Sequence, residues 1–237
     1  MEERLTKKEK KELRKLENLS KVEEGGGNKM KLIIIAAVSF LFLAFFAFAI
    51  IASKQKANAP VKLSNSGWVT GNPNSKVTLT EFGDFQCPAC KAFEPVIDQV
   101  RKDYGNKIKI VFMHFPLKNA HPNAMMAAKA AEAAGQQGKF WQYHDLLYVN
   151  QEAWAPLPDP TQQFTDYAKS LKLDTAKFKK DMQDSKLEAK INAQEDEGIN
   201  VGVNATPTVY LNGAFLGVPD GYDALKKEID KALNAVN

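Results

Sequence analysis

The two cysteines of this 237-residue chain, Cys87 and Cys90, are separated by Pro88 and Ala89, and the chain contains no others. A pair at this spacing can form and break a disulfide, or it can supply two ligands to a metal such as zinc. In the redox case a thiolate at Cys87 forms a mixed disulfide, and a second thiol within reach must resolve it. Cys90 lies one helical turn away and meets that need.

The residues around the cysteine pair predict a strand before it and a helix after it. Residues 77–82 are β-branched and apolar in alternation, which is typical of a strand. Residues 91–104 carry apolar side chains at helical spacing. Cys87 is therefore expected at a helix start, where free N–H groups and the helix dipole stabilise a thiolate. Pro88 in the first turn sacrifices no helical hydrogen bond.

The remaining pattern indicates one α/β domain in two halves. Residues 107–115 predict a second strand, which a crossover connection makes parallel to the first. Residues 119–200 contain no strand pattern and predict an all-helical insertion. Two short strands joined by Asn212-Gly213 then predict a hairpin, followed by an amphipathic helix from about residue 222 to 233. The predicted helices of the insertion are 121–134, 139–148, 161–171, 175–182 with Asp174 as its cap, and 187–197 ended by Gly198.

Composition and charge exclude several classes of protein. With 44% hydrophobic and 25% charged residues, the chain is typical of globular proteins. The formal net charge is +4, but from Pro60 onward there are 20 Lys/Arg and 21 Asp/Glu. Nucleic-acid binding needs positive charge clustered on the folded part. We therefore expect no nucleic-acid partner.

Residues 32–52 predict a single transmembrane helix. These 21 residues carry no charge. A helix of this length can span a bilayer, and the stretch is longer than the apolar part of a simple signal peptide. The preceding tail, residues 1–31, carries ten Lys/Arg, and the positive-inside rule places it in the cytoplasm. We expect an uncleaved anchor, a linker at 53–65 and an extracytoplasmic domain at 66–237.

Three motifs in this order give the chain a family resemblance. They are Glu81-Phe-Gly-Asp-Phe-Gln-Cys-Pro-Ala-Cys90, His114-Phe-Pro-Leu117 and Thr206-Pro207-Thr208. Together they resemble the DsbA-like thiol:disulfide oxidoreductases of the thioredoxin superfamily, and the membrane-tethered BdbD-type members look closest. The resemblance runs from about residue 66 to the C-terminus. It implies a thioredoxin fold (βαβ…ββα) with a helical domain inserted at about 119–200.

The resemblance also implies roles for individual residues. Cys87 would be the exposed nucleophile and Cys90 the buried resolving thiol. Thr206 and Pro207 would form the family's cis-proline loop, which lies against the dithiol and, with Pro88 and Ala89, contacts substrate. Glu81 resembles the family's buried acid, which exchanges a proton with the resolving thiol; the competing interpretation is a partly exposed carboxylate at a strand end.

The implied activity is disulfide formation in reduced, exported bacterial proteins without a cofactor. Reoxidation would come from a quinone-linked membrane partner of the DsbB or vitamin K epoxide reductase type. Several strongly oxidising members have histidine at the position of Ala89. A reductase or isomerase of the same fold therefore stays open as an alternative. A non-catalytic chaperone module is a further alternative. A zinc site would need His114, His121 or His144 to join the cysteines.

Overall fold

The computed structural model describes residues 7–8, 10–12, 14–18, 35, 38–43, 45–46 and 60–236. The chain divides into two units, Met1–Ala59 and Pro60–Asn237. The described residues of the first unit are helical and exposed. Most of the predicted membrane span at 32–52 lies outside the described residues, as does the predicted linker up to residue 59. Among the helices that are described, none combines the length and apolar character needed to cross a bilayer.

The second unit is built on a five-stranded mixed sheet. The strands β1 to β5 lie in the order β1-β3-β2-β4-β5. The two central strands β2 and β3 are parallel, as predicted, and the other neighbours are antiparallel. The strand at one edge, β1, adds to the four predicted from the sequence. The strands are β1 (Trp68–Gly71), β2 (Thr78–Gly83), β3 (Lys109–His114), β4 (Thr208–Leu211) and β5 (Ala214–Gly217).

The helices complete the predicted arrangement of two halves around a helical segment. Helix α1 (Pro88–Tyr104) connects β2 to β3 and contains Pro95, and α8 (Gly221–Val236) follows the hairpin of β4 and β5. Six helices and no strand lie between β3 and β4 in this described part of the chain. They are α2 (Ala124–Gly135), α3 (Phe140–Val149), α4 (Gln151–Trp154), α5 (Thr161–Ser170), α6 (Thr175–Met182) and α7 (Ser185–Asn200).

Side chains of the central strands alternate between two buried layers. Leu79 and Ile110 belong to the core that α1 and α8 cover, together with Ile97 and Leu225. Phe82, one of the residues that alternate with these, packs in a separate cluster on the other side of the sheet. Glu81 has the parity of Leu79 and therefore faces the layer covered by α1.

Gly198 does not end a helix, contrary to the prediction. Helix α7 continues through it to Asn200. A Cβ at this position would lie 2.7 Å from a ring atom of Phe115 and 3.1 Å from one of Phe82. The glycine is thus needed because α7 packs closely on the aromatic layer of the sheet.

Residues 60–65, which the sequence placed in the linker, pack on the domain instead. The Val61 amide donates to the Gly213 carbonyl oxygen at 2.9 Å, and Ser64 hydrogen-bonds to Glu197. Gly213 lies in the predicted hairpin turn, where Asn212 and Gly213 both have positive φ, 50° and 79°. Polar linker composition at 60–65 concealed these contacts, which are made to residues more than 130 positions away.

Candidate active site

Cys87 lies at the N-terminal end of α1. It is the N-cap residue, in an extended conformation, and Pro88 occupies the first turn. The Cys87 residue is 6% exposed, whereas Pro88 and Ala89 are exposed and flank it at the surface. Cys90 is 0% exposed, and both cysteines are free thiols in this structure. Cys87 is therefore buried in this structure, contrary to the expectation of an exposed nucleophile, although it keeps a larger exposed fraction than Cys90 and lies beside two exposed residues.

The two thiols differ strongly in acidity. Hydrogen bonding from the Cys90 thiol lowers the pKa of Cys87 to about 5, against the effect of partial burial; the backbone N–H groups of Cys90 and Ala89 act in the same direction. The pKa of Cys90 is raised well above its usual range by burial, by its hydrogen bond to Cys87 and by the negative charge of Glu81. At neutral pH the pair thus holds a Cys87 thiolate and a Cys90 thiol.

The loop before β4 faces this pair. In its protonated form the Cys87 thiol donates to the Thr206 carbonyl oxygen at 3.3 Å, across 119 residues of sequence. The Thr206–Pro207 peptide bond is cis, and both residues are buried. The structure therefore brings together Cys87, Cys90, Thr206 and Pro207, all of which the sequence had singled out.

Glu81 is a buried residue of the central strand β2 and does not lie at an exposed strand end. It is 3% exposed, and its Oε1 atom has no hydrogen-bond partner in the described part of the chain. Burial raises the pKa of Glu81, against the opposing attraction of Arg101. A carboxyl group in this state can hold a proton near neutral pH, close to a thiol on which its charge acts.

Asp84 fixes the loop that leads to Cys87, a contribution that the sequence analysis missed. Its Oδ1 atom accepts from the Gln86 amide at 2.7 Å, and its Oδ2 atom accepts from the Leu117 amide at 2.9 Å and contacts His121 Nδ1 at 2.7 Å. Its backbone carbonyl accepts from the Cys87 amide at 3.1 Å. The carboxylate ties the redox loop to the segment that follows β3.

The helical segment holds the same loop through side-chain amides. Gln151 Nε2 donates to the carbonyl oxygens of Phe85 and Cys87, at 2.8 and 2.9 Å. Gln86 Oε1 accepts from the backbone N–H of Asn123 at 2.7 Å. No local pattern marks Gln151 in the sequence, because its side chain acts on a loop tens of residues away.

A cluster of charged residues lies on α1 and α3, further along the face of α1 that carries Cys90. Arg101 pairs with Glu94 at 2.7 Å, with Asp145 at 3.0 Å, and with Asp98. The buried ring of His144 lies 3.0 Å from Asp145 through Nδ1 and 3.9 Å from Glu94 through Nε2. The only sequence signal for this cluster was Glu94, a carboxylate inside an otherwise apolar helix stripe at the i+4 position from Cys90.

The histidines considered as zinc ligands lie beside carboxylates. His114 contacts Glu132, His121 contacts Asp84, and His144 contacts Asp145. In the described residues, the group of potential metal ligands that lie close together is Glu94, His144 and Asp145, which includes neither cysteine. The Arg101 guanidinium already occupies both carboxylates of that group.

Comparison with known proteins agrees with this geometry. A family model described as Thioredoxin matches residues 64–231. The chain belongs to this thioredoxin family. Among solved structures, oxidised BdbD from Bacillus subtilis has a TM-score of 0.66 at 26% identity, covering 74% of this chain and 97% of that one. The thiol-disulfide exchange protein α-DsbA2 from Wolbachia pipientis has a TM-score of 0.62 at 25% identity, covering 77% and 93%.

Two kinds of sequence relative differ in how much of their length is shared. A probable disulfide bond formation protein D from Bacillus cereus is 29% identical over 210 residues, which is 85% of this chain and 94% of that protein. A Na⁺/H⁺ antiporter NhaA 1 from Salinispora arenicola is 39% identical over 145 residues, or 61% of this chain. This chain spans about a fifth of that antiporter's length, since the match covers 21% of it.

Proposed function

We propose that this protein is a thiol:disulfide oxidoreductase that introduces disulfide bonds into reduced, exported proteins. The observation that carries the proposal is the asymmetric pair: an acidic Cys87 at a helix N-terminus, 3.3 Å from the Thr206 carbonyl oxygen, above a buried Cys90. The names of the BdbD, α-DsbA2 and disulfide bond formation protein D relatives support the same class of reaction.

The roles follow from the positions of the residues. A substrate thiolate attacks Cys87 of the Cys87–Cys90 disulfide, forms a mixed disulfide with it and releases Cys90 as a thiolate. A second substrate thiolate then attacks the substrate sulfur of the mixed disulfide, which releases Cys87. Thr206 and Pro207, with the exposed Pro88 and Ala89, form the surface on which the substrate backbone rests.

Glu81 supplies a proton to Cys90 when the disulfide opens. Its carboxyl group is buried on the side of β2 that α1 covers, and burial raises its pKa. A protonated acid beneath the leaving sulfur neutralises the charge that would otherwise remain buried on Cys90.

Replacing Cys87 tests the proposal. We expect full-length Cys87→Ser to oxidise a reduced, unfolded protein no faster than the uncatalysed reaction, because the attacked sulfur is gone. We expect Cys90→Ser, mixed with a disulfide-bonded protein, to accumulate a mixed disulfide, because the Cys87 thiolate attacks that disulfide, one substrate sulfur leaves as a thiolate, and the second thiol that would resolve the product is missing; non-reducing electrophoresis and mass spectrometry detect this product. Retained catalysis by Cys87→Ser would refute the proposal. Full function of a Cys87→Ala/Cys90→Ala variant would instead favour the chaperone alternative.

The reduction potential decides the direction of the reaction. Oxidising members of the fold lie near −120 mV and reducing thioredoxin near −270 mV, and a stabilised reduced form makes the stronger oxidant. The Cys87 thiolate is stabilised here, although Ala89 offers no cation. We expect a potential more positive than about −200 mV when the pair is equilibrated with glutathione buffers. A value near that of thioredoxin would make the protein a reductase.

The proposed location is the outer face of a bacterial membrane, with residues 32–52 as an anchor and residues 1–31 in the cytoplasm. The uncharged 21-residue stretch and the positive tail support this location, and a quinone-linked DsbB-type or vitamin K epoxide reductase-type protein would reoxidise the pair. Full-length protein should stay with membranes after an alkaline wash and dissolve in detergent. A variant with Leu43→Lys and Phe46→Lys should lose this association. Release of the unmodified protein by the wash would rule out the anchor.

A further inference from the structure

A line of buried polar groups continues from the cysteine pair in the direction away from the substrate surface. Glu94 follows Cys90 by four residues on α1, which puts the two side chains on one face of the helix. Glu81 projects toward the same layer from β2, and its negative charge raises the pKa of both Cys90 and Glu94. The first three groups of the line are therefore Cys90, Glu81 and Glu94.

His144 continues the line from Glu94 toward the surface. Its Nε2 atom faces Glu94 Oε2 at 3.9 Å, and its Nδ1 atom contacts Asp145 Oδ1 at 3.0 Å. The His144 side chain is 0% exposed, whereas that of Asp145 is 50% exposed. An imidazole with a carboxylate at each nitrogen can accept a proton at one and release it at the other.

Three atoms in this line are buried without a hydrogen-bond partner among the described residues. They are Glu81 Oε1, Glu94 Oε2 and His144 Nε2. Each buried polar atom without a partner is costly; Nδ1 of His114, beside Glu132, is another such atom. Two of these atoms, Glu94 Oε2 and His144 Nε2, lie 3.9 Å apart.

We propose that Glu94, His144 and Asp145 form a proton route between Glu81, beneath the Cys90 thiol, and solvent. This inference rests on the proposed thiol:disulfide exchange. It assigns Glu94 and His144 as groups that act through Glu81, without contact to the substrate. Glu94 Oε2 and His144 Nε2 are 3.9 Å apart, longer than a hydrogen bond, and the route requires this contact to shorten during the reaction, as contacts between catalytic groups often do.

The proton balance of the first exchange step defines what the route carries. A thiolate attacks Cys87 Sγ, a new sulfur–sulfur bond forms, and the bond to Cys90 breaks with its electron pair on Cys90. Cys90 then takes a proton from Glu81, and Glu81 takes one from Glu94. Glu94 is reprotonated through His144 and Asp145 from solvent. When the partner reoxidises the pair, the same proton leaves in the opposite direction.

The groups around Glu94 set when it can hold that proton. Glu94 is acted on by Glu81 from β2, by Arg101 and Asp98 from its own helix, and by His144, Asp145 and Tyr148 on α3. Burial, followed by the charge of Glu81, raises the pKa of Glu94 despite the Arg101 ion pair. A raised pKa favours the protonated carboxyl that a donor in the route requires.

Glu94→Gln tests the route, because the amide can still accept a hydrogen bond from Arg101 but cannot pass a proton. Oxidised full-length protein is mixed with excess dithiothreitol, quenched with acid, and the free Cys90 thiol is quantified by mass spectrometry across a pH series. We expect the disulfide to open about 10- to 100-fold more slowly at neutral pH, which is at or below the lower end of general acid catalysis because Glu94 acts through Glu81. Glu152→Gln is the control, since that carboxylate is exposed and its ion-pair partner among the described residues is Lys91; its rate should be unchanged.

His144→Asn and a double variant separate a route from structural damage. Asparagine can keep the contact to Asp145 but loses the Nε2 atom, so opening should slow. His114→Asn, which alters an equally buried histidine beside Glu132, should leave the rate unchanged. The disulfide of the double variant Glu81→Gln/Glu94→Gln should open no more slowly than that of the slower single variant, because the two groups act in series. Rates equal to wild type in Glu94→Gln, or multiplied effects in the double variant, would overturn the proposal.

A titration of the Cys87 thiolate tests whether slower opening in Glu94→Gln comes from a changed acidity of Cys87 and not from a lost proton route. The absorbance of the Cys87 thiolate at 240 nm should titrate at the same pH in Glu94→Gln and wild type; a shift large enough to account for slower opening would also overturn the route. Failure of the proposed function gives a different result from failure of the proton route. If the proposed function is wrong, wild type does not oxidise a reduced protein, while the dithiothreitol series still decides whether the route exists.

Discussion

Two buried histidine–glutamate clusters of this protein have opposite electrostatic outcomes. In the first, Glu132 accepts hydrogen bonds from Trp68 at 2.7 Å and Lys190 at 2.8 Å, and lies 3.1 Å from His114. Burial would raise its pKa, but the contacts with His114 and Lys190 outweigh burial and lower the pKa to about 2. This carboxylate is a fixed negative charge that joins β1, β3, α2 and α7.

The second cluster surrounds Glu94 and is left incomplete. Glu94 has one strong partner, Arg101, and Arg101 also pairs with Asp98 and Asp145. One oxygen of Glu94 has no partner among the described residues, and its pKa is raised. Residue type and burial therefore do not distinguish a carboxylate that stays charged from a carboxyl group that can hold a proton. The number of donors each carboxylate receives makes that distinction.

Glu132→Gln should have the largest effect on stability. Loss of the charge leaves Lys190 and His114 without their carboxylate, and we expect a loss of about 3 kcal/mol in the free energy of unfolding at neutral pH. Urea denaturation of the full chain measures it. Glu94→Gln should cost less than about 1 kcal/mol, because its hydrogen bond to Arg101 can persist. A similar loss in the two variants would contradict the difference between the clusters.

The pH dependence of stability should have opposite sign in the two clusters. The pKa of Glu132 is lowered on folding, so its contribution is full above the unfolded value near 4.5 and is lost as the pH falls toward about 2. The pKa of Glu94 is raised on folding, so wild type loses stability as the pH rises above that unfolded value.

Unfolding series at several pH values test these signs. The deficit of Glu132→Gln should shrink as the pH is lowered from about 5 to about 3, and Glu94→Gln should gain stability relative to wild type between about pH 5 and about pH 8. Glu152→Gln, at an exposed site, serves as the control with no such trend. A deficit of Glu132→Gln that persists in acid would show that packing, and not charge, is lost.

Trp68→Phe should have a smaller effect on stability than Glu132→Gln. It removes one donor to Glu132 while a smaller ring remains against Phe140, with which Trp68 stacks at 4.6 Å. We expect a loss of about 1 kcal/mol and no change in the Cys87 thiolate titration. A shifted titration would mean that the Glu132 cluster also influences the redox pair.

Local patterns predicted the elements that position the cysteine pair. The parallel strands, the helix after Cys87, the Asn212-Gly213 hairpin and the Asp174 cap are all confirmed; the Asp174 side chain accepts from the amides of Ala176 and Lys177. These features depend on side-chain period, turn conformation and capping, which act over a few residues. The prediction that Gly198 ends a helix was wrong, because a distant aromatic layer requires a glycine there.

Spacing and periodicity are local properties, and they were enough to predict a dithiol between a strand and a helix. The groups that surround the dithiol come from distant parts of the chain and depend on the fold of the domain. Thr206 faces Cys87, Gln151 holds its carbonyl, and Glu94 and His144 extend from Cys90 toward solvent. Burial and hydrogen-bond partners across tens of residues set the acidity of each group, and neither is encoded in any short stretch of the chain.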